Sequence, residues 1–119
     1  MPAKVFYQVD DLKYYGEIVE KILREYAAIT YSHSDINRRV VIDGSRNQFF
    51  LVIEGWDGDR RIHGFLIHVE IRDGKVWVQR DGTEDGITDE LLAAGIPKDR
   101  IVLAFHPPYI RQHTEYAVG

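Results

Sequence analysis

Three Asp-Gly pairs, Asp43–Gly44, Asp57–Gly58 and Asp73–Gly74, divide the middle of the chain into four runs rich in aliphatic and aromatic residues. Asp-Gly is a strong hairpin signal, because the favoured two-residue turns need positive φ. Short turns leave little slack, so neighbouring strands are held antiparallel and in register. The pattern predicts a meander with strands near residues 38–43, 48–56, 61–72 and 75–80. In the third strand, strict alternation puts His63, Phe65, Ile67, Val69 and Ile71 on one face. Ile62, Gly64, Leu66, His68, Glu70 and Arg72 fall on the other. The second strand is apolar on both sides, with Phe49, Leu51 and Ile53 against Phe50, Val52 and Trp56. One face of such a sheet takes a helix. The other is too apolar to be left wholly wet, and is expected to be covered by the C-terminal segment or by a partner chain.

The helix is readable upstream. Leu12, Tyr15, Val19, Ile22 and Tyr26 recur at spacings of three and four, with Asp10 or Asp11 as N-cap and an end near Ala28. Downstream, Thr88 is placed to cap a short helix over residues 89–94. Gly95, Ile96 and Pro97 then spell a Schellman-type stop. Residues 97–100 can make one helical turn, residues 101–105 read as a fifth strand, and residues 109–113 as a last helical turn. The expected fold is α+β: an antiparallel β-meander of four to five strands, a long N-terminal helix packed on one face, and short C-terminal helices. The 119 residues make one domain.

Composition narrows the function classes. There is no cysteine, so no disulfide framework and no thiolate metal site. The apolar runs are far too short to span a bilayer and the first residues lack a signal-peptide core, which reads as a cytoplasmic protein. Net charge is −4. Residues 38–80 carry eight bases and six acids, whereas residues 81–119 carry three bases and seven acids. A nucleic-acid surface usually shows a basic stripe. Here Arg38–Arg39 and Arg60–Arg61 are the candidates for DNA contact, and adjacent residues on a strand point to opposite faces.

The acidic loop QRDGTEDG, residues 79–86, invites a metal reading. Asp81, Thr83, Asp85 and Gly86 match positions 1, 3, 5 and 6 of an EF-hand loop, but position 12 is Leu92 rather than glutamate. The loop also lacks a phosphate-binding signature and is acidic. It reads as a strand-to-helix connection. His63 and His68, five apart, are expected on opposite faces; His33, His106 and His113 stand in no ligand spacing. Ser32, Ser34 and Ser45 sit outside any nucleophile elbow. No catalytic constellation, metal site or cofactor motif emerges, and the chain reads as a binding protein rather than an enzyme. Side chains without an evident core role suggest a partner-docking surface of Trp77, Gln79, Arg80, Asp81 and Thr83, with His106, Pro107 and Pro108 nearby. Aromatics with a polar handle are enriched at interface centres.

Residues 77–119, WVQRDGTEDGITDELLAAGIPKDRIVLAFHPPYIRQHTEYAVG, resemble the C-terminal half of the XisI family, the fdxN element excision controlling factors of cyanobacteria. The likeness rests on four blocks in order: W-x-Q-x-D-G-T-E, L-L-x-x-G-I-P-K-x-x-I-V-L, F-H-P-P and the closing T-E-Y-A-V. The front half fits as well, through a strand ending in Gly55–Trp56, then G-x-R-R-I-x-G and I-H-x-x-I-x-x-G-K. The resemblance covers residues 10–119, leaving the first nine as a variable extension. It implies a controlling role in programmed DNA excision during heterocyst differentiation, with a separate recombinase doing the chemistry. It also implies pairing with a XisH-type protein, itself nuclease-like. It carries over no catalytic residues. Two further expectations accompany this one: direct DNA contact, which needs the arginines to converge on one face, and a small-molecule-binding domain, which needs a deep polar pocket. The doubly apolar sheet predicts a homo-oligomer in each case.

Overall fold

A computed structural model describes the backbone of residues 2–29 and 35–119, and the side chains of residues 12–29 and 35–119. Helix α1 spans Pro2–Ala27 and is followed by strands β1 (Asp35–Ile42), β2 (Gln48–Asp57), β3 (Arg60–Arg72) and β4 (Lys75–Asp81). Helix α2 (Thr88–Ala93), a 3₁₀ turn (Lys98–Arg100), strand β5 (Ile101–Leu103) and helix α3 (Pro108–Arg111) complete the chain. The sheet order is β1-β2-β3-β4-β5. The first four strands pair antiparallel, as the turns require. β5 lies parallel to β4, because the chain crosses over through α2 before returning to the sheet. The sheet is therefore mixed. His33, Ser32 and Ser34 lie outside the described residues.

Helix α1 starts at Pro2, not at Asp10 or Asp11. Proline is tolerated in a first turn, and nothing in residues 3–9 breaks the helix. Its end at Ala27 is close to the expected one. Tyr15, Ile18, Val19, Ile22 and Leu23 turn one stripe of α1 onto the inner face of the sheet. They meet Phe49 and Leu51 of β2, Ile67, Val69 and Ile71 of β3, and Val76 and Val78 of β4. Ile87, Leu91 and Ile96 close the core around α2.

The turns differ in how they are made. Asp73 and Gly74 take φ of 52° and 76°, the positive values of a two-residue hairpin. At Asp43–Gly44 the side chain does the shaping: Asp43 accepts from the backbone amides of Asn47 at 2.7 Å and Gln48 at 2.8 Å, and from the Ser45 hydroxyl. The Ser45 hydroxyl first, then the Gln48 and Asn47 amides, hold the Asp43 carboxyl down at about 2. After α2, the amides of Gly95 and Ile96 donate to the carbonyls of Leu92 and Leu91 at 3.0 and 3.1 Å, the predicted Schellman pair. Thr88 does not cap α2. The N-cap is Ile87, with no side-chain cap of its own.

A bulge on β3 overturns its strict alternation, and a second bulge interrupts β4. Leu51 pairs with Ile67, but Val52 pairs with Phe65, leaving Leu66 as the extra residue. His68 pairs with Arg80 and Val69 with Val78, leaving Gln79 extra on β4. One added residue shifts the pleat by one. Ile67, Val69 and Ile71 accordingly face the core, while His63 and Phe65 change sides and join His68, Glu70 and Arg72 on the outer face.

Candidate interaction surfaces

The outer face falls into two halves. Over β4 and β5 the C-terminal segment folds back. Ala104 donates to Val78 O at 2.9 Å, and Ala117 donates to Ile101 O at 2.9 Å while bridging Val102 in parallel. Arg111 is the tie: its Nε donates to His106 O at 2.8 Å and its guanidinium to Val118 O at 3.1 Å. The same guanidinium stands 5.8 Å from the centre of the Trp77 ring. Arg72 lies over that ring at 3.8 Å, and Trp77 Nε1 donates to Arg72 O at 2.9 Å. Trp77 is thereby 7% exposed.

Over β1, β2 and β3 nothing folds back among the described residues. Phe50 stacks on His68 at 4.3 Å and lies 4.8 Å from Phe65. Phe65 is 50% exposed and Val41, beside Phe50 on the edge strand, 40%. Around this apolar centre the polar groups satisfy one another. Gln48 accepts from His68 Nε2 at 2.7 Å and donates to Glu70 at 2.6 Å. Gln79 donates to the other Glu70 oxygen at 3.0 Å. Burial lowers the His68 pKa, against a smaller opposing pull from Glu70. At the far end, Arg39 donates to Glu54 at 2.5 Å and Arg61 stands 3.9 Å from the same carboxylate.

The acidic loop turns out to be organised by one side chain. Asp81 Oδ1 accepts from the Thr83 amide at 3.1 Å and its hydroxyl at 2.6 Å. Its Oδ2 accepts from the Ile87 amide at 2.7 Å, where α2 begins with no cap of its own. Gly82 donates to Leu66 O at 2.7 Å, pinning the end of β4 to the bulge on β3. Across from the loop, burial first, and then the Glu90 carboxylate, push the Tyr26 phenol up to about 12. No group of three or more His, Asp or Glu side chains among the described residues is arranged to hold a metal ion. Between α1 and α2 a furrow of about 530 Å³ is open to solvent, walled by Tyr14, Ile18, Ile22 and Ala94.

The eight residues expected to form one docking surface are spread out. Trp77 is buried under the C-terminal segment, and Gln79 is half-buried in the Glu70 network. Arg80 is exposed and donates to Phe65 O at 2.8 Å. Asp81 and Thr83 are bonded to each other at the start of the loop, and Thr83 borders a furrow beside Tyr26 of α1. His106 is half-buried, whereas Pro107 and Pro108 are exposed and open α3. Next to them Phe105, Tyr109 and Ile110 are exposed, Tyr109 by 67%. That second apolar patch has a sequence signal in its own composition, F-H-P-P-Y-I, where three bulky apolar residues flank a helix-breaking pair.

The arginines do not converge. Arg38 reaches back to Tyr26 O at 3.4 Å, on the helix side of β1, while Arg39 points to the outer face. Arg60 pairs with Asp57 at 3.2 Å and Arg46 with Glu20 of α1. Arg72 lies over Trp77 at the opposite end of β3 from Arg61. The bases are divided between both faces and both ends of the sheet, and most are matched with an acid.

This fold belongs to a described family. The XisI protein family model matches residues 9–118, and the chain is a member of the XisI family. Its structure is similar to that of a XisI-like protein from Anabaena variabilis ATCC 29413, with 38% identity, 91% of this chain and 99% of that one covered, and a TM-score of 0.83. It is also similar to the fdxN element excision controlling factor XisI of the same organism, at 36% identity, with 91% and 98% covered and a TM-score of 0.76. No curated protein matches the sequence.

Proposed function

We propose that this protein is an accessory factor in the control of programmed DNA excision, and that it acts by binding a XisH-type protein partner rather than by touching the reacting phosphates. The family and the similarity to an excision controlling factor support the first part. The observation that carries the second is the exposed block of Phe105, Pro107, Pro108 and Tyr109, fastened at His106 O by Arg111 yet covered by nothing in the described chain. Such exposed aromatic groups on a fixed frame are what interface centres are made of. Asp81 and Thr83 serve this reading indirectly, by fixing the loop that leads into α2. No helix among the described residues is long and apolar enough to cross a membrane.

The test is binding of a purified XisH-type protein, followed by calorimetry. The double substitution Phe105→Ala with Tyr109→Ala is expected to weaken binding tenfold or more, a loss of about 1.4 kcal/mol or above for the pair. Unchanged affinity would remove this patch from the interface, and no binding at all would remove the partner. Direct DNA contact would instead show affinity falling steeply with salt. The division and pairing of the arginines weigh against it.

A further inference from the structure

The open half of the outer face is a different surface from the C-terminal patch, and its chemistry asks for a different occupant. We infer that it is the contact between two copies of this chain, packed sheet to sheet about a two-fold axis. The charge pattern argues for a second copy. The outward-facing carboxylates and guanidiniums of β1–β3 are Asp35, Glu54 and Glu70 against Arg39, Arg61 and Arg72; His63 and His68 share the face, and Arg80 of β4 borders it with its Nε donating to Phe65 O. The acids and bases are equal in number, and all three arginines are already paired within the monomer at 3.9 Å or less. The chain as a whole carries −4. Its charge excess therefore lies away from this face. A partner selected by opposite charge would find only Arg80, at the margin and bonded to a carbonyl, without an acid beside it. An identical copy would meet a neutral rim and an apolar centre, so the like-charge penalty of a two-fold contact is small.

The dimensions are adequate. Ten residues of β2 at about 3.3 Å each, across three strands about 4.8 Å apart, give a flat footprint on the order of 500 Å² per copy. Two copies would bury about 1,000 Å², the minimum for a biological contact and within the weak, transient class. Phe50 and Phe65 stand at the centre of this footprint, close enough to interdigitate with their symmetry mates in a sheet sandwich.

Sedimentation equilibrium of the full chain alone, from about 1 to 300 μM, tests this without any partner protein. A monomer–dimer equilibrium is expected. Phe65→Glu should weaken it about a hundredfold or more, since a carboxylate would be buried unpaired at the contact. Val41→Glu on the neighbouring strand should do the same, and it serves if Phe65→Glu fails to melt cooperatively. Tyr109→Glu, in the C-terminal patch, should leave the dimer intact. A chain that stays monomeric throughout overturns the inference. So does a dimer that survives both Phe65→Glu and Val41→Glu, or one that only Tyr109→Glu dissolves.

Discussion

Trp77 and Phe65 project from the same face of one sheet, on adjacent strands, yet one is almost completely buried and the other half exposed. The difference lies in what each strand has beside it. β4 is followed by a crossover that brings β5 and the C-terminal segment back, and Arg72 and Arg111 close over the indole. β3 carries the bulge at Leu66 that turns Phe65 outward, and the part of the strand that bears it runs past the end of β4. Burial on this face is thus decided by topology and pleat rather than by the hydrophobicity of the residue. The covered half is fastened by hydrogen bonds to backbone carbonyls. The open half has its polar groups satisfied and its apolar groups unused.

The contrast can be broken most forcefully at Trp77. Trp77→Ala should cost about 3–5 kcal/mol, the range for an aromatic removed from a packed site. Phe65→Ala, measured at a concentration where the chain is monomeric, should change stability by less than about 0.5 kcal/mol. Urea midpoints at equal slope compare the two, and similar losses would mean that the halves are equally packed. A smaller effect is expected at the tie. Arg111→Ala removes two hydrogen bonds to carbonyls and the cover over Trp77, and should cost about 1–2 kcal/mol. Its signature is a red shift of tryptophan emission as Trp77 gains water, whereas Arg61→Ala, beside the already exposed Trp56, should leave that burial untouched.

The smallest effect concerns acid. His68 has its pKa lowered in the folded chain, chiefly by burial, with Glu70 opposing and Arg80 opposite it on β4. A group with a depressed folded pKa stabilises the fold fully above its unfolded value, near 6.5, and loses that contribution as pH falls through the folded value. Stability should therefore decline slightly between neutral pH and pH below 6.5, and His68→Phe should remove that part of the slope. A ring titration of His68 that centres above 6.5 would contradict the burial argument.

Much of the fold was legible. Asp73–Gly74, the α1 stripe and the Gly95–Ile96–Pro97 stop each rest on local chemistry, and each produced the expected element. The expectation that one sheet face needs further cover came from Phe50, Val52 and Trp56, and half of that face is in fact covered by the C-terminal segment. What could not be read was non-local. The bulges at Leu66 and Gln79 leave no mark in composition, so His63 and Phe65 were assigned to the wrong face. The helical state of residues 2–9 was hidden by the attractive cap at Asp10–Asp11. Asp81 was singled out as a docking residue because its partners, Thr83 and Ile87, lie two and six residues further on and meet it only once the loop is closed. Gly55 shows the reverse, a family-block residue whose reason appears only in three dimensions. A Cβ there would come within 2.0 Å of Asp35 O on β1.

The parallel seat of β5 also sets a timetable. Neighbouring hairpins of the meander close across loops of a few residues, on a scale of about 1–10 μs. β5 reaches β4 only across residues 82–100, a far longer loop to close. Trp77 becomes dry when the segment beyond β5 settles on it. Its fluorescence should thus mark the arrival of the crossover during refolding, whereas Trp56, half exposed in the folded monomer, should change less.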